Sequence, residues 1–376
     1  MNNMKRVYLD NAATTPLRPE VIDCMVDVMQ TEYGNASSNH SYGRSAKSII
    51  ESARKSIAQW MGCEARELIF TANATEATNM ILTSAVRDLG IKRLITSRME
   101  HHATLYTVEK LAQDFGVVVE YLPANADGTV AIDGLADLLQ QEIPTLVTLM
   151  HVNNETGAVL NIIEVGELCH AHKVLFHCDT VQSVGKTLLH FHDLPLDFAV
   201  ASAHKFHGPK GVGFAYISKN VVLKPMIVGG EQEKGLRAGT EAVHQIAGMA
   251  KALELDMTDL EHDQGYIEAL KFYCWEQLQM AFPGIKANGE HTFYNILNVT
   301  LPMPEEKAAM LLFNLDIKGI AVSRGSACQS GSSKPSHVLA QFVAEDDLKR
   351  PALRISFSRF NTKDDIDALC DALKGV

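Results

Sequence analysis

Positive charge is in short supply in this chain of 376 residues. Its 34 Lys and Arg residues face 45 Asp and Glu residues, which leaves a formal net charge of −11. An acidic protein repels the phosphates of nucleic acids and the head groups of anionic membranes. We therefore expect neither nucleic acid nor a membrane among its binding partners.

Long apolar runs are also missing from the sequence. No stretch approaches the roughly 20 apolar residues that a bilayer-spanning helix needs. The N-terminal sequence MNNMKRVYLD contains two basic residues but no apolar run after them, which is not the pattern of a signal peptide. These features predict a cytoplasmic protein. The sequence also contains no internal repeat and no low-complexity segment.

The seven cysteines lack the spacings of a disulfide framework or a zinc site. Their number is odd and no two of them form a CxxC pair, so we expect no metal. Six lie in apolar surroundings, where a free cysteine behaves as a small hydrophobic residue. Cys328 lies instead in the run SRGSACQSGSSKPS, whose Gly, Ser and Lys residues cannot pack as a core element. We expect an exposed thiol on a mobile loop.

The order of apolar runs predicts an α/β fold. Between residues 67 and 218, seven short β-rich runs alternate with segments of helical period, which is typical of a mostly parallel sheet covered by helices. The last two runs are separated only by HKFHGPKG, too short for a crossover helix, so we expect an antiparallel pair there. The runs are 67–72, 93–97, 117–123, 145–152, 174–180, 197–203 and 211–218.

The length and a change of pattern near residue 255 predict two domains, because single cores seldom grow beyond about 250–300 residues. We assign residues 14–255 to a large domain. Residues 256–376, together with 1–13, form a smaller α+β domain that carries Cys328. This second part contains a helical stretch near 259–282, strand-like segments and a helix over EEKAAMLLFNLDI (305–317). It ends in a final helix with Thr362 and Asp365 as a capping signature.

Polar residues follow five of the predicted strands at their carboxyl ends, where open α/β sheets bind ligands. Each could be only a cap or a turn residue, but five together on one sheet edge indicate a site. Lys205 directly follows an apolar strand and has His204 and His207 beside it, which favours a nucleophilic amine; a surface lysine is the alternative. Thr75 opens a helix, where an anion or a plain cap fits equally well. The residues are Thr75, Glu76, His101, His102, the segment 153–157, Asp179, Gln182, His204, Lys205, His207 and Lys210.

Ordered motifs along nearly the whole chain resemble the cysteine desulfurases of the NifS/IscS type, in the class V branch of fold-type I pyridoxal phosphate (PLP) enzymes. No single motif would suffice, but their number and order exclude chance. They are YLDNAATTP (8–16), YGNASSNHSYGR (33–44), EHHA (100–103), HVNNETG (151–157), HCDTVQSVGK (177–186), SAHKFHGPKGVG (202–213), GLRAGT (235–240), SRGSAC (323–328) and LRISFSRF (353–360).

The resemblance implies a role for each matching residue. Lys205 would bind PLP as a Schiff base, Asp179 would pair with the pyridine nitrogen, and His101 would stack on the ring and handle protons. Arg354 would clamp the substrate carboxylate with help from Asn35. Cys328 would accept the sulfur. The remaining cofactor contacts implied are Gln182 and Asn154 at the ring oxygen and substrate, Ala74, Thr75, Ser202 and His204 around the phosphate, and Thr240 from the other subunit of a homodimer.

The implied reaction turns L-cysteine into L-alanine and passes a Cys328 persulfide to acceptor proteins. Iron–sulfur cluster assembly, tRNA thiolation and cofactor synthesis are all compatible destinations. A selenocysteine lyase could share these residues. An aminotransferase would have no use for the loop thiol, and the intact Lys205, Asp179 and Cys328 argue against a non-catalytic assembly scaffold.

Three short departures from the usual family pattern concern backbone and contact positions. Asn73 stands where glycine is usual before Thr75, Glu231 replaces a glycine in GGGQE, and Ala36 replaces a proline. We expect effects on phosphate binding or on the dimer contact at most, since no catalytic group is lost. Arg324 and Lys334 lie near Cys328 in sequence and could favour its thiolate.

Overall fold

The computed structural model describes residues 6–308, 310–325 and 336–375. After the short strand β1 (Val7–Tyr8), seven strands form the central sheet. Each of them falls within one of the predicted runs. They are β2 (Leu68–Thr71), β3 (Arg93–Ser97), β4 (Val118–Leu122), β5 (Thr145–Met150), β6 (Leu175–Asp179), β7 (Phe198–Ser202) and β8 (Gly213–Ile217).

The central sheet has the strand order β2-β8-β7-β6-β5-β3-β4. Strands β7, β6, β5, β3 and β4 run parallel, whereas β8 pairs antiparallel with both β7 and β2. The predicted antiparallel pair at the HKFHGPKG turn is therefore confirmed. All six residues of β5 are buried, as expected for a strand covered by helices on both faces.

Helices cover this sheet and supply its two apolar cores. The helices of this part of the chain are α1 (Pro19–Thr31), α2 (Ser41–Trp60), α3 (Ala74–Asp88), α4 (His102–Phe115), α5 (Leu135–Leu139), α6 (Ile162–Ala171) and α7 (Val243–Thr258). Among them, α7 packs against both α1 and α2, while α3 packs against α4. The α/β fold class predicted from the alternation of runs is thereby confirmed.

A third core lies in the C-terminal part of the chain and includes Val7 and Leu9 from the N-terminal segment. β1 pairs parallel with β11, and β10 lies between β9 and β12 in an antiparallel sheet. The elements are α8 (Leu260–Ala281), β9 (Lys286–Ala287), β10 (Ile296–Thr300), α9 (Leu311–Ile317), β11 (Ile320–Ala321), α10 (Glu345–Leu348), β12 (Ala352–Ser356) and α11 (Lys363–Lys374). The domain boundary at residue 255 stays a prediction.

Two local expectations have clear outcomes. Thr362 and Asp365 form the predicted capping box at the start of α11. The helix predicted over 305–317 is shorter, because α9 begins only at Leu311 and residues 305–307 form a separate 3₁₀ turn after Pro304. Within the described ranges, no helix combines the length and the apolar character that a membrane span requires.

Candidate active site

A cavity of about 310 Å³ opens at the carboxyl ends of the central strands. It brings together residues from all five predicted strand ends and one residue of β12. Main-chain groups of the N-terminal segment complete its wall. The lining residues are Ala12, Ala13, Asn73, Ala74, Thr75, Thr78, His101, Ala103, Met150, Val152, Asn154, Asp179, Val181, Gln182, Ser202, His204, Lys205 and Arg354.

Lys205 ends a short 3₁₀ turn that directly follows β7. Its Nζ donates hydrogen bonds to the carbonyl oxygens of Ala12 at 2.7 Å and Ala13 at 2.8 Å. The N-terminal segment is held there because the Thr15 amide donates to the His204 carbonyl oxygen at 2.9 Å. The amine is therefore kept in the cavity at a defined position, and the interpretation of Lys205 as an ordinary surface lysine is wrong.

The N-terminus of α3 faces the same cavity with donors suited to an anion. Asn73 caps the helix by accepting from the Glu76 amide, and the Ala74 amide donates to Ser202 Oγ at 2.8 Å. Thr75 follows Ala74 in the first turn of α3, where the positive end of the helix dipole favours phosphate. Asn73 has extended backbone, with φ of −175°, so its substitution for glycine needs no left-handed geometry.

His204 completes this polar end of the cavity. Its Nδ1 lies 3.2 Å from Thr14 Oγ1. Burial, together with the charge of Lys205, Lys210 and Lys186, lowers the pKa of His204 to about 3. At neutral pH the ring is therefore uncharged, and it can serve an anion as a hydrogen-bond donor but not as a counter-ion.

Asp179 ends β6 and is almost fully buried, with 8% of its surface exposed. Its Oδ1 accepts from the Val181 amide at 3.0 Å. Burial raises the pKa of Asp179 to about 6, an effect opposed by the Val181 hydrogen bond and by the charge of Lys205. A buried carboxyl group with one amide donor would gain from a cationic partner placed in the cavity.

His101 also lines the cavity. It caps α4, because its Nδ1 accepts from the Ala103 amide at 3.1 Å. Burial, followed by the charges of Lys205 and His337, lowers the pKa of His101 to about 4. The ring is therefore neutral at physiological pH. A neutral imidazole can lie against a flat ligand without repelling the neighbouring amine.

Arg354 reaches the cavity from β12 and is 1% exposed. Its Nη1 donates to the Asn154 carbonyl oxygen and its Nη2 donates to Asp10 Oδ1, both at 2.7 Å. Two buried polar atoms on the cavity wall, Arg354 Nε and Thr78 Oγ1, have no hydrogen-bond partner among the described residues. Buried orphan groups of this kind indicate that the cavity accommodates a polar ligand.

Two residues of the predicted site, Asn35 and Thr240, do not line this cavity. Asn35 is exposed, and its Oδ1 accepts from the Ser37 amide instead of facing the cavity beside Arg354. Thr240 is exposed and does not line the cavity either. Cys328, like Lys334, lies outside the described residues.

Other strand-end residues serve structural contacts. Glu76 forms an ion pair with Arg237 at 2.8 Å, and His207 Nδ1 lies 2.8 Å from the Pro16 carbonyl oxygen. The His102 ring stacks on Tyr106 and also contacts the His337 ring. Lys210 is exposed. These residues match the cap or turn interpretation of strand-end polar groups.

The remaining departures from the family pattern also have defined surroundings. Glu231 is exposed, whereas the nearby Glu233 is buried and forms a two-point ion pair with Arg54, with both distances 2.7 Å. Ala36 is buried within the core that α1 and α2 contribute to. Arg324 donates to the Ala308 carbonyl oxygen at 3.3 Å.

Two buried ionisable residues next to the site were missed by sequence reasoning. Glu100 lies before α4, and burial, with the charge of Asp179 as a further cause, raises its pKa to about 8. Lys186 donates from Nζ to Gln182 Oε1 at 3.0 Å, and burial with the charge of Lys205 lowers its pKa to about 7. Glu100 lies in the EHHA motif and Lys186 in the HCDTVQSVGK motif. Membership in these motifs was the sequence signal that could have identified both residues.

One group of side chains away from the cavity has metal-ligand spacing. The ligand atoms of Glu64, Glu67 and His192 lie within 4.8 Å of one another. Their oxygens already accept hydrogen bonds, because Glu67 accepts from the Glu64 and Lys219 amides and Glu64 from the Lys219 ammonium. The group is therefore explained as an ion-pair and capping cluster.

Comparison with known proteins places these observations in a family. Residues 7–369 match the family model described as aminotransferase class-V. The chain is 40% identical over 369 residues to "Putative cysteine desulfurase IscS 1" of Bacillus subtilis, with 96% of each chain covered. It is 38% identical to "Cysteine desulfurase IscS" of Methanosarcina thermophila, with 99% of this chain and 92% of that protein covered.

Solved structures agree with this result. A structure named "NIFS-LIKE PROTEIN" is 33% identical with a TM-score of 0.91, and 99% of each chain is covered. A structure described as "SspA in complex with cysteine" is 31% identical with a TM-score of 0.81, covering 95% of this chain and 100% of the other.

Proposed function

The chain belongs to the aminotransferase class-V family, among cysteine desulfurases of the NifS/IscS type, and from this premise we propose that it converts L-cysteine to L-alanine and sulfane sulfur, which is the oxidation level of the outer sulfur of a persulfide. One structural observation carries the proposal. A lysine amine, a buried carboxyl group and a helix N-terminus surround a single cavity at the carboxyl edge of the sheet. An enzyme that binds an amino acid through a phosphorylated aldehyde needs these three groups together.

Pyridoxal phosphate is the cofactor of this family, and the described residues fit it. Lys205 supplies the amine for its aldehyde, and Asp179 the carboxylate for its ring nitrogen. The N-terminus of α3 with Thr75, Ser202 and His204 supplies donors for its phosphate, and the Ala74 amide holds Ser202 Oγ beside them. When bound, PLP withdraws electrons from the α-carbon of the attached amino acid.

Lys205 is the residue that we assign to proton movement at the substrate. Its Nζ lies between the carbonyl oxygens of Ala12 and Ala13, which hold the amine after the substrate has displaced it. From this position Nζ takes the α-proton as general base and can return it to the substrate side chain. We assign His101, which lines the cavity and is neutral at physiological pH, to stacking on the bound ring and to proton handling.

Arg354 and Asn154 are the residues that we assign to the substrate carboxylate. The guanidinium is already fixed in the wall by Asp10 Oδ1 and the Asn154 carbonyl oxygen, while Nε has no described partner. A planar guanidinium held in this way can bind a carboxylate with little further loss of side-chain conformational entropy. The placement of Asn35 at the same carboxylate is not favoured by its exposed position.

Cys328 is the proposed sulfur acceptor. Its thiolate attacks the substrate sulfur, the bond between substrate Cβ and sulfur breaks, and the Cβ gains a proton, which yields L-alanine. The sulfur stays on Cys328 as a persulfide, so no external oxidant or reductant is consumed in this step. We expect acceptor proteins, such as an iron–sulfur scaffold, to remove the sulfur.

We further propose that the protein works as a homodimer in the cytoplasm. Thr240, exposed and away from the cavity of its own chain, is available to reach the phosphate end of a second copy. Six free cysteines in the described ranges fit a reducing compartment.

The test of this function compares Lys205→Ala with a matched control, Lys210→Ala, which changes an exposed lysine of the same segment. Wild type and the control should show the absorbance of a lysine-linked cofactor and form alanine from L-cysteine. Lys205→Ala should lose both. If Lys205→Ala keeps both signals, the assignment is refuted. A parallel assay with L-selenocysteine measures the competing lyase activity.

A further inference from the structure

Lys186 is buried just behind the cavity wall without contacting the cavity itself. Only 7% of its surface is exposed, and its backbone is held because Gln264 Nε2 donates to the Lys186 carbonyl oxygen at 2.8 Å. The charged groups around it are Lys205, Arg354 and Asp256, with His204 and His207 nearby. A lysine enclosed in this way needs a structural or functional reason, since burial opposes its charge.

The hydrogen bonds of Lys186 determine the orientation of the Gln182 amide. Lys186 Nζ donates to Gln182 Oε1 at 3.0 Å, and Gln182 Nε2 donates to the Ala12 carbonyl oxygen at 2.9 Å. In the flipped amide, Gln182 Oε1 would face the Ala12 carbonyl oxygen, and a hydrogen bond would be replaced by a repulsion between two acceptors. The carbonyl therefore permits one orientation, and Lys186 Nζ holds the Oε1 end of the amide in it.

This orientation gives the cavity a donor next to Lys205. Gln182 Nε2 and Lys205 Nζ donate to the same Ala12 oxygen, so they lie within two hydrogen-bond lengths of each other. Nε2 carries a second hydrogen that Ala12 does not use, and Gln182 lines the cavity. The wall therefore offers an N–H to an oxygen acceptor beside the lysine-linked atom.

We propose that Lys186 is a positioning residue that fixes Gln182 with its N–H directed at an oxygen of the group attached to Lys205. The inference rests on the proposed function for the identity of that group. A hydrogen-bond donor at this oxygen weakens the hydrogen bond that the oxygen accepts from the protonated lysine-linked nitrogen. Lys186 thus lowers the pKa of that linkage through Gln182, without touching the cofactor.

The test is a pH titration of the lysine-linked cofactor absorbance in a double-mutant cycle. Lys186→Met should raise the pKa of the linkage by about one unit in the wild-type background, the size of one hydrogen bond. In the Gln182→Met background the same change should shift it by less than half as much. Lys186→Arg, which keeps both donor and charge, should restore the wild-type value, and Lys47→Met, at an exposed position of α2, should leave it unchanged.

Equal shifts in the two backgrounds would overturn the proposal, because Lys186 would then act by charge alone. Absence of a shift in both backgrounds would overturn it as well. Thermal unfolding of each variant identifies a general loss of folding. A wild-type protein without the cofactor absorbance would instead refute the proposed function, so the two failures are distinguishable.

Discussion

Arg354 and Asp10 form an ion pair in which Nη2 lies 2.7 Å from Oδ1, although 344 residues separate them in the chain. The pair joins β12 to the segment that follows β1, and it directs the guanidinium at the cavity. The proposed clamp for the substrate carboxylate is thus already in place in the structure without substrate. This arrangement reduces the ordering cost of binding a carboxylate.

Arg354→Lys should raise the KM for L-cysteine by about 10- to 100-fold, the range expected for a hydrogen bond to a charged group. A lysine ammonium lacks the planar set of N–H donors with which the guanidinium can bind Asp10, the Asn154 carbonyl oxygen and a carboxylate at once. Steady-state alanine formation gives KM, and the cofactor absorbance should be retained. Arg359→Lys, whose ion pairs are with Asp259 and Asp263, is the control and should leave KM unchanged.

Asp179→Asn should lower kcat by about 10- to 100-fold while the protein still folds, because an amide cannot keep the ring nitrogen protonated by charge. Asp197→Asn is the matched control, since Asp197 accepts from the Phe176 amide much as Asp179 accepts from Val181. Single-turnover rates with L-cysteine measure the effect. A full rate in Asp179→Asn would show that this carboxylate does not serve the reaction.

His177 should make the protein less stable as the pH falls. Burial lowers its pKa to about 3, whereas an unfolded histidine titrates near 6.5. Between these values the unfolded chain binds a proton that the folded chain does not, so the unfolding free energy decreases with falling pH, by up to about 1.4 kcal/mol per pH unit.

His177→Leu should remove this contribution and flatten the dependence of the unfolding free energy on pH between about 6.5 and 3. Chemical denaturation at several pH values measures the slope, which is compared with that of the exposed His172→Asn variant. The slope is the test because loss of the Thr148 contact changes the absolute stability in any case. An unchanged slope would contradict the assignment.

The central sheet could be predicted from the sequence because its strands are short, apolar and separated by clear turn and helix signals. Asp179, Gln182, His204 and Lys205 could likewise be placed at one edge, since parallel strands end together. Arg354 could not be placed by that rule. It comes from a different sheet, and only family resemblance connected it with the site.

Other features depend on long-range packing that no local pattern encodes. The carbonyl oxygens of Ala12 and Ala13 reach Lys205 because the N-terminal segment is fixed against the His204 turn. Lys186 is interpretable only once Gln182 is seen beside it. The start of α9 at Leu311 also differs from the periodic pattern, which continues through the 3₁₀ turn at 305–307.

The central claim is that sulfur passes from L-cysteine to Cys328. Wild-type protein incubated with L-cysteine and a thiol reductant should release alanine and sulfide in equal amounts. Cys328→Ala should keep the cofactor absorbance but release no sulfide, whereas Cys63→Ala, which removes a partly buried thiol elsewhere, should behave as wild type. Sulfide release that survives in Cys328→Ala would contradict the account.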